Sequence, residues 1–240
     1  MERINLNGGW ELQYGRQIEQ ASRMEQPEIP DAWTRVAAQV PGNVELDLVR
    51  AGLLPEQLEK GHNIYLLREL ETMQWWYTKT FTWEAESGSS RHELVLEGVD
   101  TLASYWLNGV RIGQTENMLI PHRFDVTDKL QSGENQLVIG IDSTVLAAHE
   151  EPVEAGAWAM ENNWESLSIR KAAHSFGWDI MPTYSGILFP GPTISRTNDS
   201  SFALGWADPR KDGAPPLRLI SAESRPPGRP AWSLYCAQLN

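Results

Sequence analysis

The sequence predicts an all-β protein, a sandwich of short strands, and three observations predict it. The run Gln74-Trp75-Trp76-Tyr77-Thr78-Lys79-Thr80-Phe81-Thr82-Trp83 alternates with period two. Trp75, Tyr77, Phe81 and Trp83 fall on one face of a strand, and Trp76, Thr78, Thr80 and Thr82 on the other. Asn108-Gly109 supplies the positive φ angles of a two-residue hairpin turn between Leu102–Leu107 and Val110-Arg111-Ile112. Short stretches of strand composition separated by loops recur along the chain, and no long amphipathic helical pattern competes with them.

The remaining elements follow in order. Val44 to about Ala51 reads as a short helix, with Asn43 placed to cap its start and Gly52 to stop it. Glu93 to Glu97 is a strand, and Phe124 with Val126 marks another. Leu137, Ile139 and Ile141 mark a third, after the turn-like Ser132-Gly133-Glu134-Asn135. From Glu150 to Ala173, the residues Trp158, Trp164, Leu167 and Ile169 fit neither period, and a long, partly helical excursion is expected there. No internal repeat is visible.

Composition bounds the function classes. A chain of 240 residues with 41% apolar and 22% charged side chains is an ordinary globular composition. At that size about 70–75% of the unfolded surface can be buried. A net charge of −12 argues against nucleic acid and anionic membranes as partners, since both demand basic surface. Met1 to Trp10 holds no apolar leader, no stretch reaches the roughly 18 apolar residues of a membrane span, and Cys236 is the only cysteine. A cytoplasmic protein is expected, in which the sequon Asn198-Asp199-Ser200 has no role. Composition changes near residue 200. The last 36 residues hold 5 basic and 3 acidic side chains and six prolines between Pro209 and Pro230, so residues 196–240 are expected to form an irregular tail behind a sandwich domain of residues 1–195.

Several blocks resemble a known family. Val40-Pro41-Gly42-Asn43-Val44-Glu45-Leu46-Asp47-Leu48-Val49-Arg50-Ala51-Gly52-Leu53-Leu54-Pro55 is similar to the loop and short helix near the start of β-mannosidases of glycoside hydrolase family 2. The Trp75-Trp76-Tyr77 strand, Leu96-Glu97-Gly98-Val99-Asp100-Thr101-Leu102-Ala103, Leu107-Asn108-Gly109 and Ile120-Pro121-His122-Arg123-Phe124-Asp125-Val126-Thr127 follow in the family's order at similar spacing. Arg170-Lys171-Ala172-Ala173 leading to Phe176-Gly177-Trp178-Asp179 resembles the part that separates β-mannosidases from the β-galactosidase and β-glucuronidase branches. The likeness spans roughly residues 3 to 190. It departs at Ile180-Met181-Pro182, where the family has a second Trp and then Gly-Pro, and it ends at Leu188-Phe189-Pro190.

The resemblance implies a jelly-roll sandwich of the galactose-binding-like kind, followed in complete members by immunoglobulin-like domains and a (β/α)₈ barrel. Complete members cleave terminal β-mannosides with retention, using two glutamates roughly 5 Å apart, both in the barrel. The chain is thus expected to be a truncated, inactive amino-terminal domain with no catalytic residue of its own. Two other readings stay open: a free-standing carbohydrate-binding module, and an interaction domain that docks onto a separate catalytic barrel. The family's matching aspartate, here Asp179, is implied to reach into the barrel and hydrogen-bond the sugar, a task for which a carboxylate accepting two hydroxyls is suited. Trp178 is implied to line the same pocket, where an aromatic face packs against sugar C–H groups. The bland alternatives are a turn aspartate capping local amides and a core tryptophan.

Other candidates carry less. Asn162-Asn163-Trp164-Glu165 imitates the clan's Asn-Glu acid/base pair, but it precedes the Phe176–Asp179 block instead of following it. Glu150, Glu151 and Glu154 read as a solvated loop. Trp10, Trp33, Trp75, Trp76, Trp83 and Trp106 read as core or interdomain packing. His62, His92, His122, His149 and His174 lack metal-ligand spacing, and no nucleotide loop, nucleophile elbow or basic aromatic stripe occurs, so neither metal nor cofactor is expected. Any carbohydrate partner is expected to bind the isolated chain weakly or not at all.

Overall fold

The structure is a computed structural model that describes residues 3–58, 60–84, 91–150, 186–187 and 193–197. Met1–Asn198 is one compact unit, and every described residue lies in it. The strands are β1 (Arg3–Asn5), β2 (Gly8–Arg16), β3 (Thr34–Val40), β4 (Gly42–Asn43), β5 (Met73–Trp83), β6 (Arg91–Leu96), β7 (Val99–Asp100), β8 (Ala103–Leu107), β9 (Val110–Thr115), β10 (His122–Asp125), β11 (Gly133–Ile141), β12 (Gly186–Ile187) and β13 (Thr193–Thr197). Two short helices, α1 (Val44–Arg50) and α2 (Thr144–Glu150), and two 3₁₀ segments, Ala21–Arg23 and Asn63–Thr72, complete the described elements.

All described strand pairs are antiparallel. A six-stranded sheet runs β3-β2-β5-β11-β8-β9, a four-stranded sheet β1-β13-β6-β10, and a small third sheet β4-β12-β7. Inward residues of the first sheet (Trp10, Leu12, Trp75, Tyr77, Tyr105, Leu137, Ile139) share one buried cluster with Leu94, Leu96 and Ile194 of the second, the core of a two-layer sandwich. The all-β sandwich expectation is met.

β5 behaves as its alternation predicts. Trp75, Tyr77, Phe81 and Trp83 enter the core, whereas Trp76 points to the opposite face and Thr80 and Thr82 are exposed. That opposite face is itself covered: Trp76, Trp106, Val138 and Ala21 form a second buried cluster under Met24, Ile29 and Trp33. Trp106 donates its indole N–H to the carbonyl of Glu25 at 3.0 Å, which satisfies the polar end of a buried ring.

The Asn108-Gly109 hairpin forms with φ of 53° and 78°, as a type I′ turn requires. Asn108 also ties neighbouring turns together, donating Nδ2–H to the Lys129 carbonyl and to Asn135 Oδ1, both at 2.8 Å. Ser132–Asn135 is less turn than expected, because β11 already begins at Gly133. Strands β2 and β3 and the Asn63–Thr72 segment were not anticipated. Glu150–Ala173 lies outside the described residues beyond Glu150 itself, which ends α2.

Helix α1 starts and stops where its caps place it: Asn43 Oδ1 accepts the Leu46 N–H at 3.0 Å, and Gly52 takes φ 71° after Ala51. Asn43→Ala is expected to cost about 1 kcal/mol, measured as a lowered urea midpoint with unchanged slope. Among the described residues no helix is long and apolar enough to cross a membrane.

Candidate functional site

Three blocks far apart in sequence meet in the small third sheet. Gly186 of β12 pairs with Asn43 on one side and Asp100 on the other, and Ile187 pairs with Gly42 and Val99. The Pro41–Asn43 loop, the Val99-Asp100 turn and the segment that follows Asp179 in sequence are thereby fastened together. Gly42 is there for space: a Cβ on it would lie 2.2 Å from the Gln39 carbonyl oxygen, a backbone atom. Gly42→Ala therefore forces the backbone to shift, with an expected loss of about 1–3 kcal/mol by chemical denaturation. Trp178 and Asp179 themselves lie outside the described residues, as do Glu151, Glu154, Asn162–Glu165, His174 and Cys236.

Buried acidic residues lie within this sheet and in the helix α1 that follows β4. Asp47 and Asp100 are fully buried, Glu45 is 3% exposed, and Tyr77 is 1% exposed. Asp47 Oδ1 accepts the Gln39 backbone N–H at 3.0 Å and an N–H of the Arg50 guanidinium, which locks α1 to the end of β3. Burial pushes the Asp47 carboxyl above the usual carboxylate range, against the opposing pull of Gln39 and Arg50. Asp100 accepts the Thr101 hydroxyl. Burial pushes Tyr77 well above the ordinary phenol range, and the charges of Asp47 and Glu45 push it further. Asp47 and Asp100 thus each accept protein donors, an arrangement suited to holding the fold.

A second feature is a cleft of about 590 Å³ lined by the Ala21–Arg23 turn, the adjoining ends of β8, β9 and β11, the loop after β9, and α2. At its base Asp142, 3% exposed, accepts the Ala21 N–H at 2.9 Å and Gln74 Nε2–H at 2.6 Å. Burial raises its pKa, and those donors, the Ser22 N–H and the Arg23 charge oppose the rise. Gln74 Oε1 in turn accepts the Trp76 indole N–H at 3.0 Å, so the carboxylate is wired to the covered outer face. At the rim Arg23 pairs with Glu150 at 3.3 Å, and Gln20 donates to the same carboxylate at 3.0 Å.

Among the described residues no group of three or more His, Cys, Asp or Glu is arranged to hold a metal ion. The described histidines near strands serve packing: His92 lies edge-on to Trp83 with centroids 4.8 Å apart, and His122 Nε2 meets the Asn117 carbonyl at 2.7 Å. Sequence reasoning did not find Asp142 or Asp47 as buried carboxylates. Their partners lie at Ala21, Gln74 and Gln39, and nothing local in the sequence signals those pairings.

Comparison with known proteins agrees with this architecture. Residues 10–188 match the glycosyl hydrolase 2 galactose-binding domain-like family. The chain is 34% identical over 178 residues to a β-mannosidase B of Thermothelomyces thermophilus, covering 73% of this chain and 20% of that protein. It is 25% identical over 199 residues to a probable β-mannosidase of Caenorhabditis elegans, again 20% of its length. Among solved structures, a β-D-mannosidase of Dictyoglomus thermophilum aligns with a TM-score of 0.63 at 32% identity, covering 81% of this chain and 22% of that one. The chain thus spans about a fifth of the length of the curated relatives it matches. With three quarters of its length matched and the sandwich in place, the chain belongs to the glycosyl hydrolase 2 galactose-binding domain-like family, as the amino-terminal domain found in β-mannosidase-like proteins.

Proposed function

We propose that the chain acts as the non-catalytic sandwich of a β-mannosidase-like glycosidase, lending Asp179 and Trp178 to a sugar pocket that a (β/α)₈ barrel completes. The observation that carries this reading is the 34% identity to a β-mannosidase B across most of the chain. Retaining hydrolysis needs one carboxyl that protonates the leaving oxygen and a second, about 5 Å away, that attacks the anomeric carbon. In the described cleft two of the lining carboxylates already have protein partners. Asp142 is occupied by the backbone of the Ala21–Arg23 turn and by Gln74, and Glu150 is neutralised by Arg23.

Docking against a barrel fits the surface as well. Leu46, Leu53, Tyr65 and Leu66, on α1, just after it and on the Asn63–Thr72 segment, are 43–54% exposed, and apolar side chains of this size gain from being covered. The setting is cytoplasmic, in keeping with a single cysteine in 240 residues.

The role of Asp179 is tested in a chimaera. Residues 3–197 replace the matching segment of the Dictyoglomus thermophilum β-D-mannosidase, and hydrolysis of 4-nitrophenyl β-D-mannopyranoside is measured with and without Asp179→Asn. The expected result is a hydrolytic chimaera whose kcat/KM falls about 10- to 100-fold on substitution, as for loss of a charge-assisted hydrogen bond. An unchanged kcat/KM would leave Asp179 as a turn cap.

A further inference from the structure

We infer that Asn108 is a site of spontaneous covalent modification controlled by the fold: the Asn108-Gly109 peptide cyclises to a succinimide once its hairpin opens, and the closed hairpin holds it from doing so. Glycine after asparagine favours this reaction, because no Cβ crowds the attacking nitrogen. The Gly109 nitrogen gives up its proton and attacks Asn108 Cγ. A C–N bond forms, the bond from Cγ to Nδ2 breaks, and ammonia leaves with that proton. Water then opens the ring at either carbonyl, which yields an aspartyl or an isoaspartyl link. One water enters, one ammonia departs, and nothing is oxidised or reduced.

The closed hairpin blocks the first step. Asn108 Oδ1 accepts the Gln136 N–H at 2.9 Å, and Nδ2 donates to the Lys129 carbonyl and to Asn135 Oδ1, both at 2.8 Å. The backbone N–H of Asn108 adds a 2.9 Å bond to the Gln136 carbonyl. Departure of Nδ2 breaks two of the side-chain bonds, and turning Cγ onto the Gly109 nitrogen breaks the third. At the usual net worth of a hydrogen bond, these three make the reactive arrangement about 100-fold rarer than in an open chain.

The same partners make the reaction one-way. Asn135, 1% exposed, is fixed in its orientation: its Nδ2 donates to the carbonyls of Gln131 and Gly133 at 2.7 and 3.1 Å, and its Oδ1 accepts the Gln131 N–H at 2.8 Å. It cannot turn its amide to receive a new carboxylate without losing those bonds. A carboxylate at position 108 keeps the Gln136 bond but sets an oxygen against two acceptors, the Lys129 carbonyl and Asn135 Oδ1. It also adds negative charge to a chain of net charge −12. An isoaspartyl link inserts a backbone carbon into a two-residue loop whose flanking pair is Leu107 and Val110. Either product weakens the turn that joins β8 to β9 and ties it to the β10–β11 connection.

The chain carries its own reference, because Leu6-Asn7-Gly8 repeats the Leu107-Asn108-Gly109 tripeptide. Unfolding gives both asparagines the same local chemistry. The test is peptide mapping by mass spectrometry of the 240-residue chain kept in mildly alkaline buffer, with and without denaturing guanidinium chloride. The expected result is conversion of both Asn-Gly sites at similar rates in guanidinium, and conversion of Asn108 about 100-fold more slowly in buffer, where circular dichroism shows the chain folded. Asn108→Asp builds the aspartyl product directly, and it is expected to lower the guanidinium midpoint or to prevent folding. Three outcomes overturn the inference: no conversion of Asn108 in guanidinium, equal conversion in buffer and guanidinium, or an Asn108→Asp chain as stable as the unsubstituted one. The rate comparison needs no variant, so it decides the protection by the fold even where Asn108→Asp does not fold.

Discussion

Trp75→Ala lowers the stability of the sandwich by about 3–5 kcal/mol, the range for removing a buried large aromatic side chain. Trp75 is 2% exposed, sits in the core shared by both large sheets, and stacks on Tyr14 with centroids 4.8 Å apart and planes 22° from parallel. Truncation removes that stack and leaves a void between β2 and β5 that neighbours fixed by ladder hydrogen bonds cannot close. Set against a total stability of about 5–15 kcal/mol, the change takes a large share of the whole. Urea unfolding followed by circular dichroism measures it. Trp33→Ala, half-buried on the outer face, is expected to cost clearly less, and a Trp75→Ala loss below about 1 kcal/mol would contradict this packing.

Raising the pH above 10 unfolds the protein steeply. Tyr77 and Tyr105 are buried, and burial holds both phenols above their ordinary value of 10.0, with Asp47 and Glu45 adding to the effect at Tyr77. The unfolded chain releases these protons near pH 10 while the folded chain keeps them. Stability is therefore fully present below pH 10 and is lost as pH rises toward the folded-state values, by about 1.4 kcal/mol per pH unit for each tyrosine. Together the two contribute a slope of about 3 kcal/mol per unit. Tyr77→Phe removes its half of the slope and costs little at neutral pH, because the Tyr77 hydroxyl has no hydrogen-bond partner among the described residues. Urea midpoints between pH 9 and 11 for both proteins provide the comparison, and equal slopes would show that Tyr77 ionises freely in the folded state.

Features with a local physical cause were legible in the sequence. The parity of Trp75, Tyr77, Phe81 and Trp83, the Asn108-Gly109 turn and the Asn43 cap each depend on a few neighbouring residues, and each is found where expected. Strands β2 and β3 were not, because Gly8, Gly9 and Gly15 dilute one and Ala37-Ala38 the other. Gly15 is a glycine for a reason outside its own strand: a Cβ there would lie 2.5 Å from the Trp33 ring. The Asn63–Thr72 segment turns with a period of three, which matches neither the helical nor the strand template. Parity assigned Trp76 to a face but could not show that Met24, Ile29 and Trp33 cover it.

The buried carboxylates mark the same limit at the site. Asp142 is held by residues 121 and 68 positions away, and pairings at such distances have no sequence signature. The resemblance in the Val40–Pro55 and Leu96–Ala103 blocks was visible as pattern, and β12 reveals one physical reason for it, since both blocks pair with the same short strand. Asp179 and Trp178 lie outside the described residues, and their roles rest on the proposal above.

The most direct test of the account is the release of nitrophenol from 4-nitrophenyl β-D-mannopyranoside by the 240-residue chain alone, at high protein concentration and over a day. The account predicts a rate equal to buffer, because on the proposed reading the acid and the nucleophile both belong to the barrel. A rate that scales with protein concentration and survives repurification would contradict it.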